Sequence, residues 1–150
     1  MTISDVGTEI DLAAGVDITA SGGNVDLNNT VAQIDLSGTT DTNTISASGS
    51  VELANVVDTG TTTATSPVEL VVTAGTGVTL GTVTLSNTLD VDFDTATGTS
   101  TLNAGSLSAG TIEVDGVGTN DVMNFGSTVV STVAGVTIGN AGTVDLDGDV

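Results

Sequence analysis

The chain contains no lysine, arginine, histidine or cysteine, no tryptophan or tyrosine, one proline and two phenylalanines. Each absence removes a class of function. Nucleic-acid binding takes its affinity from Lys and Arg that neutralise phosphates, so no nucleic-acid partner is expected. Attraction to an anionic membrane surface fails for the same reason. Without His, Lys or Cys there is no base to activate a Ser or Thr hydroxyl and no thiol nucleophile, and the chain is read as not an enzyme. Without Cys no disulfide staples the fold. No run approaches the roughly 18 apolar residues of a membrane-spanning helix. Trypsin, which cuts after Lys or Arg, finds no site, a property that suits a protein living outside cells.

What remains is 19 Asp and Glu in 150 residues, a formal charge of −19. No side-chain salt bridge is possible. Each carboxylate must be solvated, hydrogen-bonded, or neutralised by a bound cation. Hydrophobic residues make up 38% of the chain but aromatics only 1%, so the apolar set is Val, Leu, Ile and Ala. Small branched side chains fit a thin, layered interior better than a bulky globular centre. The segment Met1–Asp5 has neither a positive stretch nor an apolar stretch of a secretion signal. If the protein is exported, the signal is expected to have been removed, to lie elsewhere, or to precede this stretch of a longer chain.

Helix formers are scarce and two-residue alternation is everywhere. Glu9-Ile10-Asp11-Leu12, Val16-Asp17-Ile18, Val25-Asp26-Leu27, Ile34-Asp35-Leu36 and Val51-Glu52-Leu53 all read as strands. So do Val68-Glu69-Leu70, Val78-Thr79-Leu80, Val83-Thr84-Leu85 and Leu89-Asp90-Val91-Asp92-Phe93, then Ile112-Glu113-Val114, Val136-Thr137-Ile138 and Val144-Asp145-Leu146. In each, the apolar side chains fall on one face and the acid or Thr on the other. Turn sequences such as Ser21-Gly22-Gly23-Asn24 and Gly139-Asn140-Ala141-Gly142 separate them. The fold class is all-β. The anchors Val16, Ile34, Val51, Val68, Leu89 and Ile112 lie 18, 17, 17, 21 and 23 residues apart. That recurrence predicts a parallel β-solenoid (β-helix) with coils of about 20 residues, and about seven coils giving a rod of roughly 35 Å. A β-sandwich or jelly roll is the alternative. Residues 1–150 are taken as a single solenoid segment, continuing into further repeats or stacking end to end on copies of itself.

The run Gly116-Val117-Gly118-Thr119-Asn120-Asp121-Val122-Met123-Asn124-Phe125-Gly126, with Val136-Thr137-Ile138-Gly139 and Gly142-Thr143-Val144-Asp145-Leu146, resembles repeats of large bacterial surface proteins. These are the filamentous-haemagglutinin-like and autotransporter-like β-helical exoproteins. The resemblance implies an extracellular, cell-surface protein acting in adhesion, aggregation or matrix, with cell-surface or matrix ligands. No secretion-domain motif of that family is visible in the chain.

Two acidic clusters are candidate metal ligands. In Asp90-Val91-Asp92-Phe93-Asp94, three carboxylates would share one strand face at steps of about 6.8 Å. In Asp145-Leu146-Asp147-Gly148-Asp149, the glycine permits a turn that would converge oxygens. Hard oxygen donors are what Ca²⁺ takes, which makes calcium the candidate cofactor. The competing reading is a solvated acidic face that keeps a β-rod soluble. Neither cluster has the spacing of an EF-hand, and the nonapeptide calcium repeat is missing. Gly75-Thr76-Gly77 and Gly116-Val117-Gly118 read as turns, because phosphate-binding loops lead into helices. The stretch Asp58–Pro67, rich in Thr and holding the only proline, reads as a surface loop and a candidate for O-glycosylation.

Overall fold

The computed structural model describes residues 9–12, 15–28, 33–36, 42–58, 70–94, 98–127 and 129–147. The chain winds through β1 (Ile10–Leu12), β2 (Asp17–Ala20), β3 (Val25–Leu27), β4 (Ile34–Leu36), β5 (Asn43–Ala47), β6 (Ser50–Leu53), β7 (Val56–Val57) and β8 (Leu70–Ala74). It continues through β9 (Gly77–Leu80), β10 (Val83–Thr84), β11 (Thr88–Phe93), β12 (Thr101–Ala104), β13 (Leu107–Asp115), β14 (Val122–Phe125), β15 (Val129–Gly139) and β16 (Thr143–Leu146). Among the described residues every pairing is parallel, in continuous register except within β13–β15, and each strand pairs with the one a full circuit away. The fold is a β-solenoid. A sandwich, built from antiparallel neighbours, would give none of these pairings.

Each circuit has three sides. β1, β4, β7, β10 and the first parts of β13 and β15 stack on the first face. β2, β5, β8, β11 and the later parts of β13 and β15 form the second, and β3, β6, β9, β12, β14 and β16 the third. β13 and β15 turn the corner between the first two faces without leaving the ladder, with a register shift between Ala109 and Thr111.

The interior is made of columns of like side chains. On the third face Val25, Val51, Val78, Leu102, Met123 and Val144 stand one above the other, beside Leu27, Leu53, Leu80, Ala104, Phe125 and Leu146. On the second, Ile18, Ile45, Val72, Val91, Val114 and Ile138 do the same. The two aromatics each sit over an alanine, Phe93 on Ala74 and Phe125 on Ala104, so a large ring borrows the space of a small neighbour. Stacking places each apolar residue between two others, and most of these columns are buried completely.

Six strands per face at about 4.8 Å give a stack of roughly 24 Å, shorter than the seven-coil rod the spacing implied. The difference has a definite source. Of the spacing anchors, Ile34 lies on the first face, Val51 on the third and Leu89 on the second, and only Leu89 and Ile112 are register partners. True partners lie 19 residues apart at Val72 and Val91 but 27 apart at Ile45 and Val72. The connections supply the variation: twelve residues separate β7 from β8, and three separate β10 from β11. Most of the Asp58–Pro67 stretch falls outside the described residues.

Corners are tight where backbone meets backbone. The amide of Gly75 donates to the carbonyls of Ala47 (3.0 Å) and Gly49 (2.9 Å), and a Cβ there would collide with the Ser48 carbonyl oxygen. Gly75→Ala must therefore push two coils apart. We expect a loss of about 1–3 kcal/mol, read as a lower urea midpoint at unchanged slope.

Candidate functional site

Outward-facing residues also stack in columns, and this decides where the acids meet. On the second face one column runs Asp17, Thr44, Val71, Asp90, Glu113, Thr137, and its neighbour runs Thr19, Ser46, Thr73, Asp92, Asp115, Gly139. The pairs Asp90–Glu113 and Asp92–Asp115 are adjacent, so four carboxylates occupy one patch across β11 and β13. Acids also stack singly at Asp11–Asp35 and Asp26–Glu52. Elsewhere neutral neighbours intervene: the Ser46 hydroxyl donates to Thr19 Oγ1 (3.1 Å), and Asn124 Nδ2 donates to Asn103 Oδ1 (3.0 Å).

Asp90 and Asp92 share the outer side of β11 as expected, both half-buried. Asp94 lies just past the strand end and is exposed, its amide held by the Ala74 carbonyl at 2.9 Å. Asp145 and Asp147 are exposed on and just after β16 of the third face. Asp149 lies outside the described residues. The two clusters thus belong to different faces. Among the described residues, no three Asp or Glu side chains gather closely enough to hold a metal ion. The acids form ladders, which attract a diffuse cloud of counter-ions more readily than one chelated ion.

Glu113 and Asp115 are the members of the patch that were not singled out in the sequence. Aligning Leu89-Asp90-Val91-Asp92 with Ile112-Glu113-Val114-Asp115 reveals them at once, because the two segments are register partners. Burial, then the charges of Asp115 and Glu113, push the Asp92 carboxyl above its ordinary value of 3.8. A raised native pKa means the folded chain binds a proton that the unfolded chain does not. The resulting stabilisation is present below 3.8 and lost as pH rises through the raised value. Asp92→Asn should therefore raise the melting temperature at pH 7, and its advantage should shrink on acidification. Thermal scans across that range check the sign.

No family model, curated protein or solved structure matches the chain.

An open cleft of about 200 Å³ lies along the second face, lined by Thr19, Ser46, Ser48, Thr73 and Asp94 among others. Ala20 and Ala47 share the lining with these hydroxyls and the one carboxylate, and more of the cleft's surface is apolar than polar.

Among the described residues Asp121 is the most deeply buried acid. Asp121 is 1% exposed, and its Oδ1 accepts the amide of Ser100 from the coil below (2.8 Å). Its Oδ2 accepts the amides of Val117 (2.9 Å) and Gly118 (3.0 Å) within its own turn. Burial works to raise its pKa, but these bonds, with one from the Ser100 side chain, outweigh that and hold it below 3.8. Asn24 and Asn55 do the same work without charge, accepting the amides of Ser50 (2.9 Å) and Thr82 (3.0 Å) in the next coil. These side chains pin corner to corner. In the sequence only Asn24 falls in a recognised turn, Ser21-Gly22-Gly23-Asn24.

Proposed function

We propose that the chain is an extracellular structural protein, a β-solenoid segment of a surface filament, matrix fibre or adhesin stalk of the kind the filamentous-haemagglutinin-like resemblance implies. The carrying observation is the set of unbroken columns. Three parallel ladders, six strands deep, enclose a dry aliphatic interior and present acids, Thr and Ser outside. Such a stack is stiff because each strand is held by backbone bonds to the coils on either side. Its role is mechanical and non-catalytic. The carboxylates keep neighbouring rods apart in dilute salt, and divalent ions such as Ca²⁺ would draw them together.

Negative-stain electron microscopy with and without calcium tests this reading. Thin rods of uniform width, bundling when calcium is added, are the expected result. Compact particles that bind glycan or protein and never elongate would favour a recognition module instead, with the cleft on the second face as its first candidate surface.

A further inference from the structure

Among the ten asparagines of the chain, only one is followed two residues later by Ser or Thr, in Asn28-Asn29-Thr30. That spacing is the acceptor motif for N-linked glycan transfer, and a usable acceptor lies in a surface turn. Asn28 meets this condition. It is exposed just past the end of β3, where the chain leaves the third face for the next coil. The ladder to β6 runs as far as Leu27 and Leu53, one residue earlier, and the amide of Asn28 donates to Asp26 Oδ1 at 3.0 Å. Several other asparagines are committed to the fold. Asn43 is fully buried, Asn24 and Asn55 hold amides of the next coil, and Asn124 donates to Asn103. Asn29 and Thr30 lie outside the described residues and enter by identity alone.

We propose that Asn28 is an N-glycosylation site whose sugar donor is an oligosaccharide carried on a polyprenyl diphosphate. In the transfer, Asn28 Nδ2 bonds to the anomeric carbon of the first sugar and gives up one proton. The bond from that carbon to the diphosphate oxygen breaks, and the polyprenyl diphosphate leaves with the electron pair. Nothing is oxidised or reduced. The Thr30 hydroxyl is read by the transferase and takes no part in the bond that forms. The site rests on the extracellular reading of the chain, since such transfer meets proteins on their way out of the cell. A hydrated glycan there would stand beside the stacked acids Asp26 and Glu52 and add bulk and solubility at that corner of the rod.

The test mixes the whole folded chain with a purified oligosaccharyltransferase and lipid-linked oligosaccharide. A free acceptor peptide in the same tube shows that the enzyme is active. Intact-mass spectrometry should find the chain heavier by one glycan. Cleavage at acidic residues, since the chain has no Lys or Arg for trypsin, should place that glycan on Asn28. Asn28→Gln and Thr30→Ala should each abolish the mass gain, and Thr30→Ser, which keeps the hydroxyl, should retain it. An unchanged far-UV circular dichroism spectrum confirms the fold of each variant. A chain left unmodified while the peptide is modified would overturn the proposal, as would a glycan that persists in Asn28→Gln. Electron microscopy separates this result from the structural role. Rods formed by a chain that takes no glycan would remove the site and leave the role standing, whereas a glycan on Asn28 of compact particles would do the reverse.

Discussion

Replacing Phe125 with alanine is expected to cost about 3–5 kcal/mol of folding stability, the range for a buried aromatic in a packed core. Phe125 is 1% exposed and stands directly on Ala104 in the third-face ladder. Truncation would leave two alanines in adjacent coils and a hole that the ladder, fixed by backbone bonds on both sides, cannot close. The cost should therefore fall at the upper end of that range. Leu146, next in the column and 47% exposed, should lose no more than about 0.5 kcal/mol on truncation to alanine. Ala104→Leu in the Phe125→Ala background refills the same space from below and should recover part of the loss. Urea unfolding followed by far-UV circular dichroism gives all three values, there being no tryptophan or tyrosine to report by fluorescence. If Phe125→Ala and Leu146→Ala proved equally mild, the columns would not be the source of stability.

Asp121→Ala should cost roughly 2–4 kcal/mol, starting from a penalty of about 1–3 kcal/mol for each buried donor left without a partner. Three amides lose their acceptor, those of Ser100, Val117 and Gly118. Ser100 is 2% exposed and has no route to water, while Val117 is 42% exposed and its neighbouring amides can be rehydrated. The total is thus less than three full penalties. Asp121→Asn keeps one carbonyl oxygen for Ser100 but turns an NH₂ toward the amides at 117 and 118, and should lie between wild type and Asp121→Ala. The pH dependence has the opposite sign to that at Asp92. A native pKa below 3.8 means that the Asp121 contribution is present above that value and lost as pH falls through the lowered one. Acidification should first strengthen the rod, as the patch around Asp92 takes up protons, and then weaken it as the Asp121 turn lets go. A melting temperature that fell steadily from pH 7 downward would contradict that order.

Much of this architecture was legible because burial in a parallel stack imposes a two-residue alternation, and alternation is visible in one dimension. Val25-Asp26-Leu27, Val51-Glu52-Leu53, Val78-Thr79-Leu80 and Val144-Asp145-Leu146 all became strands of one face. The strands not recognised are β5, β7, β12 and β14, although β14 buries Met123 and Phe125. β5 buries Asn43, Ile45 and Ala47, β12 buries Leu102 and Ala104, and β7 is two residues long. Their place in the ladder comes from the coils beside them, which a local pattern cannot show. The acids follow the same rule. That Asp90 and Asp92 share a face was plain from spacing, but their encounter with Glu113 and Asp115 depends on register between segments 23 residues apart. The buried clamp at Asp121 was invisible for a further reason, since its partners at Ser100, Val117 and Gly118 lie in two different coils and contact it through main-chain amides.

The uneven connections between the first and second faces have a practical meaning. Four residues join β1 to β2, six join β4 to β5, twelve join β7 to β8 and three join β10 to β11, while β13 and β15 pass the same corner with no break in strand. The strands flanking the four connections stay register partners, and the pairing shifts only where β13 and β15 pass the corner. Lengthening a closed loop costs only about 0.6 kcal/mol per doubling, so this corner is where foreign sequence can be carried without disturbing the ladders. Epitopes, affinity tags or enzyme-docking peptides grafted at successive levels there would be held in a single file, one coil height apart, on a scaffold with no lysine side chain to be labelled in their place.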